Sequence, residues 1–254
     1  MGFWGDGLSD LVFPPRCHGC RELLSAGGKP FCFSCIQKIP GINLIRCPGC
    51  GTNKPDQSIP TQDTECGRCT NCQKNPLPWE FHFSLGSYEG QLRNWILGQK
   101  GRGGEWFAEI LGRFWATCLP PSFPKLGKMY FVIPVPRHWT KRLWFGHNPA
   151  EGLARGLCAI KGGNLDRFSL FRTRFTARQS DLNPMQRKSN VKGAFAWRGG
   201  PQKHASALLV DDVYTTGATM AECTKTLKAA GFSHIAIAAL ALGKTLTTHP
   251  VKRG

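Results

Sequence analysis

Apolar residues recur at helical spacing over Leu92–Leu97 and again over Trp106–Leu119, which predicts two helices. The glycine-rich, basic stretch Lys100-Gly101-Arg102-Gly103-Gly104 between them predicts a turn. A different pattern marks Met129–Val135, Ala207–Val210 and Ile235–Leu242, where short runs are apolar at almost every position. Such runs predict strands buried on both faces. Beyond the second run, Met220, Cys223, Leu227 and Ala230 form a helical stripe that stops at Gly231, a good C-terminal cap. Strands alternating with helices predict an α/β fold with a parallel sheet and helices on both faces.

The polar stretch Thr52–Thr64 predicts a loop, and no internal repeat is visible in the sequence. Asn75-Pro76-Leu77-Pro78 can continue neither a helix nor a central strand, so it separates two parts of the chain, the second beginning near Trp79. The last residues, Lys244–Gly254, are polar and basic. The longest apolar run, Ile235–Leu242, falls well short of the roughly 20 residues of a membrane-spanning helix. No secretory signal pattern is present in the first ten residues, so a cytoplasmic protein is expected.

The 254 residues can bury a substantial core, and a hydrophobic fraction of 41% excludes global disorder. Lys and Arg outnumber Asp and Glu by 33 to 16, a net +17 that favours polyanionic partners: nucleic acid, phosphorylated small molecules or an anionic membrane face. Nine of the twelve cysteines fall within residues 17–72. In a reducing compartment such clusters bind metal more readily than they form disulfides. Cys17, Cys20, Cys32 and Cys35 form two C-x2-C pairs separated by eleven residues, the spacing of a closed tetrahedral zinc site. Cys47-Pro48-Gly49-Cys50 opens a second site. Either Cys66 with Cys69 or Cys69 with Cys72 would complete it, and Cys66 with Cys69 is preferred. Both sites have only cysteine donors and no open position, so the zinc is structural, and it must supply much of the folding energy of a segment with few apolar residues. The remaining Cys118, Cys158 and Cys223 are expected to be small buried hydrophobes.

Asp211, Asp212, Thr215, Thr216, Gly217, Ala218 and Thr219 join a predicted strand to a predicted helix. The hydroxyls, the glycine and the backbone amides at a helix start suit a phosphate monoester. Two carboxylates at the carboxyl end of a parallel strand suit a vicinal diol. Together they describe a ribose 5-phosphate site. The plainer reading is a helix entry capped by threonine.

Several motifs follow one another along nearly the whole chain. They are Leu11-Val12-Phe13-Pro14-Pro15 before Cys17, the cysteine pairs, Tyr88-Glu89-Gly90 with Leu92-Arg93, and Val132-Ile133-Pro134-Val135-Pro136. Further on come Arg172-x-Arg174-x-Thr176-x2-Gln179-x2-Leu182, Arg187-x2-Asn190-Val191-x-Gly193-Ala194-Phe195, and the loop from Asp211. In this order they resemble the ComF/GntX family, in which a type I phosphoribosyltransferase-like domain follows an amino-terminal double zinc ribbon. The resemblance implies a double zinc-ribbon domain with a short N-terminal helix over residues 1–76, a phosphoribosyltransferase-like domain over 77–246 and a basic tail over 247–254. It implies phosphoribosyl pyrophosphate (PRPP), accompanied by Mg²⁺, as ligand of the loop. Pro136 and Arg137 would face the pyrophosphate, and Lys100, Arg174 and Arg187 are further candidate cations.

The chain departs from the family in two places. Phe145-Gly146-His147-Asn148-Pro149 stands where an Arg-Gly-Phe-Asn-Gln run is usual, and Tyr214 stands where an aliphatic residue is usual. In purine-type relatives a carboxylate occupies the position of Thr215, so the loop supplies no general base, and catalytic residues are not assigned. The resemblance also implies a link to competence and DNA uptake. Two functions are therefore carried forward. One is a PRPP- or ribose 5-phosphate-binding protein whose catalytic activity is left open. The other is a non-catalytic, zinc-stabilised factor that handles single-stranded DNA beside uptake or recombination proteins. Trp4, Trp79, Trp95, Trp106 and Trp115 are candidates to stack bases, although tryptophans in apolar stripes belong more often to a core.

Overall fold

The computed structural model describes residues 14–24, 29–53, 67–101, 103–120, 123, 126–137, 146–174 and 190–243. The short N-terminal helix, most of the Thr52–Thr64 loop and the basic tail lie outside these residues.

The described residues form seven strands and six helices. They are α1 (Phe33–Gln37), α2 (Thr70–Lys74), β1 (His82–Ser87), α3 (Gly90–Gly98), α4 (Gly104–Cys118), β2 (Leu126–Pro134), α5 (Pro149–Lys161), β3 (Gly162–Leu165), β4 (Leu170–Arg172), β5 (Phe195–Trp197), β6 (Ser206–Tyr214), α6 (Ala218–Ala229) and β7 (His234–Leu242). Five strands form one sheet in the order β1-β7-β6-β2-β3, and every pairing in it is parallel. The other two, β4 and β5, form an antiparallel ribbon.

The near-continuous apolar runs of β6 and β7 follow from their central place, since each must bury both faces. Leu208, Val210, Ala236 and Ala238 face a core that includes Leu92 and Ile96 of α3, Trp115 of α4 and Leu153 of α5. Ala207, Leu209, Ile235 and Ile237 face a second core with Met220, Cys223 and Leu227 of α6, Leu170 of β4 and Phe195 of β5. Helices therefore cover both faces, as the alternating pattern requires. The α/β class, the two helices of the 90–119 region and the α6 stripe agree with the sequence reading.

Two features were not anticipated. Helix α5 packs so tightly on α4 that a Cβ at Gly156 would sit 2.2 Å from the Glu109 carbonyl oxygen. The glycines that lower the helix propensity of this segment are what permit the contact. The amino-terminal part also holds a structural repeat that the sequence reading missed, although Arg-Cys-x-Gly-Cys recurs at residues 16–20 and 46–50. Antiparallel bridges Arg16↔Leu23 and Arg46↔Asn53 close the two knuckles. The residue after the second cysteine of each knuckle has positive φ, 68° at Arg21 and 74° at Gly51. Each half ends in a five-residue helix with a cysteine, Cys32 or Cys69, at its N-cap.

Candidate functional site

In each half of the repeat four thiols converge. The ligand atoms of Cys17, Cys20, Cys32 and Cys35 lie within 4.8 Å of one another, and so do those of Cys47, Cys50, Cys69 and Cys72. The second set corrects the expected pairing of Cys66 with Cys69. Cys69 and Cys72 occupy the N-cap and first turn of α2, which turns both toward the Cys47–Cys50 knuckle as Cys32 and Cys35 turn toward theirs. Cys66 lies outside the described residues.

Sulfur separations of 3.6 Å for Cys20–Cys32 and 3.7 Å for Cys50–Cys69 match the edge of a tetrahedron built on zinc–sulfur bonds of ~2.3 Å. The Gly19 and Cys32 amides donate to Cys17 Sγ, and the Gly49 and Cys69 amides donate to Cys47 Sγ. Burial works against ionising Cys17, but these donors outweigh it and lower the thiol to about 7. The Cys50 thiol, with backbone donors and against burial, brings Cys47 down to about 4. Thiolates supported by amides and enclosed by further sulfurs fit a structural zinc ion at each cluster. Of the other cysteines, Cys223 is buried as expected and Cys158 partly so, whereas Cys118, at the last turn of α4, is exposed.

The residues expected to form a phosphate loop stand at the carboxyl end of the central strand. Asp211 Oδ1 accepts a hydrogen bond from the Asp212 amide at 2.8 Å. Burial, and then the Asp212 charge, push the Asp211 carboxyl well above the usual carboxylate range. Arg137, just after β2, reaches Asp212 Oδ2 at 3.4 Å. The Val135 amide donates to Val210, and the Asn148 side-chain amide donates to Val135, so the Val135-Pro136-Arg137 turn is fastened beside the acids. Asn148 also caps α5 by accepting from the Ala150 amide, so Asn148-Pro149 of the unusual run starts this helix, while Phe145 lies outside the described residues.

Gly217 is the N-cap of α6, with φ 75° and no side-chain cap. A Cβ there would lie 2.6 Å from the Tyr214 hydroxyl oxygen, so close packing as well as backbone conformation demands glycine. Thr216, Gly217 and Ala218 border a hollow of about 410 Å³, which Trp79, Lys192 and Glu222 also line.

The other candidate cations are dispersed. Lys100 lines a separate hollow of about 700 Å³ with Trp106, His147 and Arg155, and no residue of the loop lines it. Arg174 donates to the Lys192 carbonyl at 2.8 Å and is exposed. Arg187 lies outside the described residues. Arg172 of β4, given no role in the sequence reading, is half-buried over the Phe195 ring and feels the charge of Asp211. Burial lowers its pKa, and among the described residues its Nε has no hydrogen-bond partner. Among the candidate stacking residues, Trp79, Trp95 and Trp115 are core, Trp106 is 60% exposed, and Trp4 lies outside the described residues. Sequence reasoning also missed the packing of Trp79 and His82 on Tyr214, because residues so far apart in the chain carry no local signal of contact.

Comparison with known proteins adds the following. Residues 8–74 match the model of the double zinc ribbon domain. A DNA utilization protein YhgH of Shigella flexneri is 30% identical over 220 residues, 85% of this chain and 92% of that protein. Competence protein F of Haemophilus influenzae is 27% identical over 231 residues, 89% of this chain and 96% of that one. A purine phosphoribosyltransferase from Pyrococcus horikoshii superposes over 57% of this chain and 80% of its own, at 17% identity and a TM-score of 0.34. That superposition is too loose to add to what the strand order itself shows.

Proposed function

The chain belongs to the ComF family, and from that premise we propose that it binds PRPP, or a related ribose 5-phosphate ligand with Mg²⁺, at the β6–α6 turn. The observation that carries this reading is the meeting of three elements at one end of the sheet: the Asp211–Asp212 pair, Arg137 against Asp212, and the glycine-started helix α6. In the bound state the amides and hydroxyls of 215–219 hold the 5-phosphate. Asp211 and Asp212 accept from the ribose hydroxyls, and Arg137 leaves Asp212 for the pyrophosphate oxygens. Thr215 supplies no base, so the proposal is one of binding and assigns no acceptor. Names given to relatives, DNA utilization protein and Competence protein F, support placing this ligand in the handling of incoming DNA, alongside uptake or recombination proteins. Clustered thiols held for zinc suit the reducing cytoplasm. Among the described residues no helix is long and apolar enough to cross a membrane.

Calorimetric titration of the full chain with PRPP and Mg²⁺ tests the reading. The wild type is expected to give a binding isotherm that Asp211→Asn with Asp212→Asn abolishes. Equal heats from both proteins would overturn it.

A second reading, a single-stranded-DNA-processing factor without chemistry, is supported by Trp106, whose exposed indole lies beside Lys100 and Arg155. Base stacking on such a ring with phosphate contacts predicts affinity that falls steeply with salt and drops with Trp106→Ala. An affinity indifferent to both would dismiss it.

A further inference from the structure

Between the second cysteine cluster and the phosphate loop runs an unbroken series of packed groups. The knuckle Cys47-Pro48-Gly49-Cys50 is fastened to the α/β domain by two hydrogen bonds. The Trp79 indole donates to the Gly49 carbonyl at 2.8 Å, and the His82 amide donates to the Pro48 carbonyl at 2.7 Å. The His82 ring is buried and lies against Gly51, with the Cys50 backbone also beside it. Close packing against the knuckle therefore holds it.

Both rings then meet Tyr214. The centroid separations are 6.0 Å edge-on for Trp79 and 4.4 Å for His82. Tyr214 is 4% exposed, and its hydroxyl end lies under Gly217. Its carbonyl accepts from the Gly243 amide at 2.7 Å, which fixes its backbone at the end of β6. The phenol also feels the charges of Cys50, Cys72 and Cys47, so it stands beside the thiol cluster as well as beneath the loop.

Among the described residues the first cluster has no such route. Its ribbon joins the opposite core, where Phe31 stacks on Trp95 at 4.1 Å and meets Phe114 edge-on at 5.1 Å.

We propose that the second ribbon is the floor of the phosphate loop and that Tyr214 is the positioning residue joining them, so that metal held at Cys47, Cys50, Cys69 and Cys72 and an anion held at 215–219 stabilise each other. The physical ground is close packing: a ring confined between a metal-held knuckle and a glycine cannot shift without moving one of them. Linkage is reciprocal, so whatever loosens the knuckle weakens anion binding, and whatever fills the loop tightens metal binding. The anion half rests on the function proposed above, whereas the mechanical half does not.

Amide hydrogen exchange on the full, zinc-loaded chain without ligand tests the mechanical half. Cys72→Ser is expected to speed exchange of the 215–219 amides about ten-fold and to leave α3 and α4 unchanged. Cys35→Ser is expected to do the reverse. Should Cys72→Ser unfold the sheet, Tyr214→Leu decides. It retains the cysteines and is expected to speed both loop exchange and chelator-driven zinc release, the release measured in the Cys35→Ser background to isolate the second site. Tyr214→Phe, which keeps the ring, is expected to restore both rates. Unchanged loop exchange in Tyr214→Leu, or equal loosening of the loop by loss of either cluster, overturns the proposal. PRPP with Mg²⁺ is then added as probe. Slower zinc release from the second site supports the linkage. If the loop and knuckle are coupled without ligand but PRPP gives no calorimetric heat, the ligand assignment fails and the coupling stands.

Discussion

In the ribbon of Cys17–Cys35, Phe31 enters the main core between Trp95 and Phe114, and Cys17, Cys35 and Ile39 belong to the same continuous cluster. In the ribbon of Cys47–Cys72, the cysteines form a small cluster of their own, and polar bonds from Trp79 and His82 tie the knuckle to the α/β domain. The two units share cysteine spacing at each knuckle, a positive-φ residue after it and a short helix with a cysteine at its N-cap, yet one is welded by apolar area and the other is tied by hydrogen bonds from Trp79, His82 and Arg68. Equal local construction thus gives unequal roles. The first ribbon serves the stability of the whole, whereas the second lies where it can bear on a ligand loop.

The heaviest perturbation is metal removal. Each site is expected to hold one zinc, about two per chain by elemental analysis, and chelation forfeits roughly 10–16 kcal/mol of apparent binding energy per site. Exchange mapping should then show both ribbons unfolded, and a stoichiometry near one would strike the second ribbon from the metal account. Phe31→Ala comes next. Truncating a fully packed aromatic costs about 3–5 kcal/mol, read as a lowered thermal midpoint, with PRPP heats retained. Loss of PRPP binding in a still-folded Phe31→Ala protein would erase the distinction between the ribbons. Trp79→Phe leaves the buried Gly49 carbonyl without its donor at a cost of about 1–3 kcal/mol, and here PRPP binding should weaken as well.

Asp211→Asn is the mildest for the fold and works in the opposite direction. The folded-state pKa lies above the ordinary carboxylate value of 3.8, so the folded protein keeps a proton that the unfolded chain releases. Stability therefore falls as pH rises from near that value through the folded-state pKa. Asparagine removes this dependence. The variant is expected to match the parent at pH 3 and exceed it at pH 7 in thermal midpoint, while losing ribose contacts. A variant no more stable than the parent at pH 7 would show that Asp211 is ionised without penalty.

Periodicity and spacing made much of this protein legible. The apolar runs became β2, β6 and β7 because strands sandwiched between two cores must be apolar on both faces. The knuckles announced themselves because a C-x2-C turn is a local geometric device. Loop residues 211–219 were recognisable for the same reason, since strand end, turn and helix start are contiguous in the chain. Other parts left little trace. Strand β1, His82–Ser87, mixes polar and small residues because it is an edge strand, and α5 carries Gly152 and Gly156, which argue against a helix until α4 is seen to require them. Cys72 in place of Cys66, and Arg172 near Asp211, depended on which residues distant segments present to each other.

The amino-acid sequence alone determined the α/β class, the metal-binding knuckles and the strand–turn–helix passage at 211–219, because each is written in residues close together along the chain. Only the folded molecule decided which thiols close the second site, that the two ribbons dock on different cores, and that Tyr214 bridges one of them to the loop. Those outcomes rest on packing between segments that are far apart in sequence, where shape and burial, not local pattern, select the contacts.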